Sequence, residues 1–137
     1  MKRLLSKLSL LLLILVMLTA CSPKSLPDNF DEEKVKVQAE NVVTLFSNNE
    51  YEKVTNEFTR EDLKTALTSD VLSDAKAQVM PNAGTLDKFS QSSILAKKDK
   101  DGNDFVLAIV VAKYSNQTVT YTISFDENMK IIGFYLK

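Results

Sequence analysis

Four tyrosines, one cysteine, eighteen acids and no histidine set the chemistry open to this chain. Without histidine it lacks the side chain that most often serves as general base or metal ligand near neutral pH. What remains for proton transfer is a carboxylate beside a phenol. The phenols are Tyr51, Tyr114, Tyr121 and Tyr135, and the scattered acids include Glu50, Glu52, Glu57 and Asp87. A carboxylate becomes a useful base only when burial or a like-charged neighbour raises its pKa. None of these acids stands in an apolar run, so they read as solvated helix and turn acids. Tyr121, between Val119 and Ile123, reads as a core aromatic rather than an acid. The chain is therefore expected not to be an enzyme. A histidine-free acid and tyrosine pair with isomerase- or hydrolase-like activity is the residual catalytic option.

The segment Asp99-Lys100-Asp101-Gly102-Asn103-Asp104 invites a calcium reading. An EF-hand loop needs Gly at its sixth position and a bidentate Glu at its twelfth. Counted from Asp99, Gly102 is fourth and the twelfth residue is Val110, so a hairpin turn is the better reading. Lys97, Lys98 and Lys100 make a small basic cluster that the neighbouring Asp residues offset. Asn116-Gln117-Thr118 fits the glycosylation acceptor pattern and reads more simply as a turn. No glycine-rich phosphate loop, nucleophile elbow or metal-ligand spacing is present. No metal and no cofactor is implied.

The only cysteine, Cys21, lies behind a targeting pattern. Lys2, Arg3 and Lys7 form a basic head, and Leu10 to Leu18 is an unbroken apolar run. Nine helical residues rise roughly 14 Å, about half of a hydrocarbon core, so the run is a signal h-region and not a stable span. Leu18-Thr19-Ala20-Cys21 resembles a bacterial lipobox. That resemblance implies that residues 1–20 are a cleaved signal peptide and that Cys21 is joined to diacylglycerol through its sulfur. Two or more acyl chains anchor stably where one does not. The mature protein is then expected on the extracytoplasmic side of a bacterial cell membrane, held through lipid on Cys21. Lysine and arginine fall from 17 to 14 on cleavage while the acids stay at 18, so the net charge moves from −1 to −4. A mildly acidic domain has no electrostatic footprint for nucleic acid and is weakly repelled by anionic headgroups. Residues 21–30, with two prolines and little to bury, read as a lipidated tether. Ser22 to Asn29 spans at most roughly 28 Å, which keeps the domain near the membrane.

The remaining residues, 31–137, suit one domain, and their elements are legible from periodicity. Overall the chain of 137 residues is 45% hydrophobic and 26% charged, ordinary globular usage. Asp28, Asn29 and Asp31 are N-cap candidates, and Val35, Ala39, Val42, Val43 and Phe46 recur at helical spacing, giving a helix over 31–47. Asn48 and Asn49 break it. Tyr51, Val54 and Phe58 predict a second helix over 50–58. Thr59 with Asp62 resembles a weak capping box ahead of Leu63, Ala66 and Leu67. Ser69 is a cap for a further helix carrying Val71, Leu72, Ala75 and Val79, which Pro81 and Gly84 end.

After Gly84 the period changes to two. Val119, Tyr121, Ile123 and Phe125 alternate with Thr118, Thr120, Thr122 and Ser124, the cleanest strand. Phe105 to Ala112 is an apolar run read as a central strand, Met129 to Leu136 is the last strand, and Phe89, Ile94 and Leu95 mark a weaker first one. Helices followed by strands with short turns predict an α+β fold, with the N-terminal helices packed on one face of a curved four-stranded antiparallel sheet. The run from Phe105 is apolar on both faces. If Thr120 and Thr122 flank Val106, Ala108 and Val110, that second face is a candidate contact surface for an envelope protein or a weak homodimer.

Asn48-Asn49-Glu50-Tyr51-Glu52-Lys53-Val54 resembles the opening of the second helix in nuclear transport factor 2-like folds. Gly84, Phe89 and the closing stretch from Val119 to Phe134 extend the likeness over about residues 32–137. In particular the chain resembles the small bacterial domain of unknown function 3887. The resemblance implies a cone formed by a curved sheet around helices, with an apolar pocket. Phe46, Tyr51, Val54, Phe58, Leu63 and Phe89 are the candidate lining, for a small ligand or peptide, and could equally fill a core. An open cavity of roughly 300 Å³ or more would favour a ligand.

Overall fold

Asp31 starts the first helix. Its carboxylate accepts the Lys34 amide at 3.1 Å, and Glu32 and Glu33 follow in the first turn, where the helix dipole favours anions. This helix, α1 (Glu32–Ser47), buries Val35, Ala39, Val42, Val43 and Phe46. It ends at Asn48, and Asn49 adopts a left-handed conformation with φ 63°. The structure is a computed structural model that describes residues 25–137. The expected signal segment and Cys21 lie outside the described residues. No helix among those described is long and apolar enough to cross a membrane.

The second helix is shorter than its spacing predicts. Helix α2 is regular only over Tyr51–Lys53 and continues as a π turn over Val54–Phe58. Thr59 causes the change by returning both its amide and its hydroxyl to the Val54 carbonyl, at 3.1 and 3.0 Å. The wider turn lets Thr55 donate to the Leu67 carbonyl at 2.9 Å. The capping box expected at Thr59 and Asp62 does not form. Thr59 is occupied with Val54, and Asp62 instead receives two bonds from the Arg60 guanidinium, at 2.7 and 3.0 Å. A 3-10 turn (Glu61–Leu63) leads to helix α3 (Ser69–Val79). Its cap is Thr68, one residue before the expected Ser69, and accepts the Val71 amide at 3.3 Å.

Four strands follow in sequence order, β1 (Leu86–Lys98), β2 (Asp104–Tyr114), β3 (Thr118–Phe125) and β4 (Ile131–Leu136), each antiparallel to the next. The fold is α+β, three helices on one face of a curled, unclosed sheet. Strand β1 carries two bulges, between Leu86 and Lys88 and between Phe89 and Gln91. Gly84 turns the chain into the sheet at φ +82°, and a Cβ there would lie 1.9 Å from Ser115 Oγ. The domain also begins earlier than residue 31. Phe30 is buried in the core and Leu26 packs against it, so part of the expected tether is seated on the domain.

The cone is filled at its centre by aromatic rings. Phe46 meets Tyr51, Tyr121 and Phe134 at centroid distances of 5.6, 5.8 and 5.2 Å. Such edge-to-face and tilted contacts add to simple area burial.

Candidate functional site

The β2–β3 hairpin decides which side of the sheet is open. The Tyr114 amide donates to the Gln117 carbonyl at 2.8 Å, leaving Ser115 and Asn116 as a two-residue loop. The register then pairs Val106 with Phe125, Ala108 with Ile123, Val110 with Tyr121 and Ala112 with Val119. All eight are fully buried beneath the helices. The expected contact surface of Val106, Ala108 and Val110 is therefore corrected, because these residues belong to the core. Thr120 and Thr122 flank the opposite set, pairing with Val111 and Ile109.

The open face is built from the other parity. Phe105, Leu107, Ile109 and Val111 form its half-buried apolar centre. Leu95 lies opposite Leu107 and is 44% exposed, and Tyr135 lies opposite Thr122 and is 60% exposed. Ser93, Thr120, Thr122 and Ser124 place hydroxyls between the apolar groups. The face offers dispersion contact and hydroxyl hydrogen bonds to a flat partner. It holds no titratable pair for proton transfer.

The expected pocket residues are not gathered around a cavity. Phe46 and Val54 are fully buried, while Tyr51, Phe58 and Phe89 sit half-buried at the core margin. Leu63 alone lines a cleft, with Thr59, Leu67, Ile131 and Phe134, and that cleft holds about 160 Å³. This is below the several hundred Å³ typical of small-molecule sites.

The polar groups of the interior are closed on one another. Ser47 Oγ donates to the Val43 carbonyl at 2.7 Å and lies 2.5 Å from the Tyr114 hydroxyl, which lies 2.6 Å from that of Tyr121. Burial, with the Tyr114 hydrogen bond next, pushes the Tyr121 phenol far above its ordinary pKa, so it stays neutral. Lys76 Nζ donates to the Ser47 carbonyl and to Asn49 Oδ1, both at 2.7 Å, and stands over the Phe46 ring. Burial lowers its pKa. Its position caps the carbonyl end of α1. The acids considered for catalysis are peripheral, with Glu50 paired to Lys53 and Glu52, Glu57 and Asp87 exposed. The Asp99–Asp104 segment is a hairpin turn with Gly102 at φ +85°. Among the described residues no cluster of His, Cys, Asp or Glu is arranged to hold a metal.

Sequence reasoning missed the right face of the sheet. The signal was the length of the β2–β3 loop, since a two-residue loop at Ser115 and Asn116 fixes the parity, whereas a turn centred on Asn116 to Thr118 leaves it open.

A family model described as "Protein of unknown function (DUF3887)" matches residues 39–134. The fold is similar to the NMR structure of a protein from Ruminococcus gnavus ATCC 29149, with a TM-score of 0.70 and 29% identity. The alignment covers 82% of this chain and 96% of that one. No curated protein matches the chain.

Proposed function

The chain belongs to the family of proteins of unknown function DUF3887, and from that footing we propose that it is a non-catalytic, lipid-anchored module working on the extracytoplasmic side of a bacterial membrane. Its architecture is a nuclear transport factor 2-like cone whose interior is packed. Its working surface is the open face of the sheet. The observation that carries this reading is the apolar centre of Phe105, Leu107, Ile109 and Val111, left uncovered while every helix packs on the other side. Monomeric proteins seldom leave a contiguous apolar patch without a contact for it to make. The partner is a component of the cell envelope, because lipid on Cys21 confines the domain there.

Photocrosslinking in the native host tests this reading. A crosslinker at Thr122 is expected to give adducts that the same group at Val37, on the exposed side of α1, does not give. Equal adducts from both positions would sink it. The second reading is a small apolar ligand in the cleft of Leu63, Leu67, Ile131 and Phe134. A small-molecule mass retained in native mass spectrometry would favour that reading instead.

A further inference from the structure

We propose that the open sheet face is the surface with which the domain lies down on the anionic bilayer that anchors it, an inference that rests on the lipid anchoring at Cys21 proposed above. The register places Lys88, Lys97, Lys113 and Lys137 on this face, either directly or through their cross-strand partners Phe105, Thr118 and Thr120. No residue that the register assigns to the face is acidic. Asp87 sits in a β1 bulge without a cross-strand partner, and Asp126, in the β3–β4 turn, faces Arg60 at 4.0 Å. All four lysines are exposed, and none enters an ion pair among the described residues. A domain with an overall charge of −4 has thus segregated its cations onto its one uncovered apolar face. The net charge alone predicts repulsion from anionic headgroups. The distribution reverses that for one orientation, because screening confines the interaction to charges within roughly 8 Å of the lipid.

The anchor enters at the edge of the same face. Ser25 and Pro27 lie against Ala96, Lys97 and Lys98 at the β1–β2 end of the sheet. Four residues separate Cys21 from Ser25, a reach of at most roughly 14 Å. One corner of the face is therefore kept beside the bilayer, and a weak surface contact becomes an intramolecular one at high effective concentration. Tyr135 and Leu95 protrude furthest and suit the headgroup boundary, where amphipathic rings and aliphatic side chains partition. A second copy is the poorer occupant, since stacking two such faces opposes four lysines to four lysines.

The mature chain, lipidated at Cys21 and reconstituted in vesicles, tests the orientation. Lipid blocks the only native cysteine, so Thr122→Cys supplies a single thiol for an environment-sensitive fluorophore, and Val37→Cys supplies the control. In phosphatidylcholine vesicles containing phosphatidylglycerol, the label at position 122 is expected to shift to the blue. The shift should vanish in pure phosphatidylcholine, in high salt, and in the combined Lys88→Glu, Lys113→Glu, Lys137→Glu chain, whose helical content by circular dichroism must match that of the parent. The label at position 37 should not move. Identical emission at position 122 in neutral and anionic vesicles overturns the proposal. So does shielding that depends on protein concentration, which assigns a second copy, or shielding that needs an added envelope protein. Flotation with neutral vesicles reports the anchor separately. If the chain fails to float, the Cys21→Ser chain is added to anionic vesicles, where a shift at position 122 upholds the face and none overturns it.

Discussion

Asp99 closes the β1–β2 hairpin almost alone. Its carboxylate accepts the Asn103 side-chain amide at 2.9 Å and the backbone amides of Asn103 and Asp101 at 2.9 and 2.8 Å. These bonds, the Asn103 side chain foremost, hold its pKa below the usual carboxylate value. The folded value is the lower one, so the stabilisation is fully present above about pH 4 and is lost as pH falls through the folded pKa. Amide exchange at Asn103 should accelerate at acid pH before the rest of the sheet opens, and Asp99→Ala should show the faster rate at neutral pH. A second contrast separates neighbours on β2. Val110→Lys buries an unpaired charge among core residues and should cost more than about 4 kcal/mol in a urea melt. Ile109→Lys, on the open face, should cost under about 1.5 kcal/mol. Comparable losses would contradict the register. In the interior, Lys76→Met leaves the Ser47 carbonyl at the end of α1 without its charged donor. A loss of about 1–2 kcal/mol is expected by the same melt.

At the scale of elements, the junction between helices and sheet is the most constrained point. Gly84 combines a positive φ with contact against Ser115. Gly84→Ala should destabilise by about 2–3 kcal/mol, and Ser115→Gly in the same chain should recover only the steric part, since the backbone strain remains. Thermal melts of the two variants measure the division. The same elements show where the sequence was legible. Long periodic segments such as α1 and β3 declared themselves because their burial repeats at 3.6 or at two. The π turn in α2 was not legible, because it depends on where Thr59 sends its hydroxyl and on Thr55 reaching Leu67, both contacts made only on folding. The exposed face of β2 was hidden for a different reason. Both its faces are apolar, so only cross-strand register distinguishes core from surface. The expected pocket residues carried helical and strand spacing that a lined cavity and a packed core share, and the ring contacts of Phe46 are what tell the two apart.

For the whole molecule, net charge and surface charge carry different messages. The acids populate the helices and turns, whereas the open face carries lysine alone. Cys21→Ala should release the protein from the membrane fraction into the soluble one on cell fractionation, if the lipobox resemblance holds. Retention of that variant in the membrane fraction would mean another segment holds it there.

The two free edges of the sheet bear on what happens when many copies share one membrane. An anchored protein diffuses in two dimensions, where neighbours collide far more often than in bulk solution, and a flat strand edge is a template for another strand. Strand β1 interrupts its own edge with two bulges and exposed lysines, and β4 begins against Thr59 and Arg60, whose amide already occupies the Ile131 carbonyl at 3.1 Å. Crowding in the plane of the bilayer then raises local density without nucleating strand-by-strand polymerisation, and the protein can be abundant on a surface without becoming a fibre.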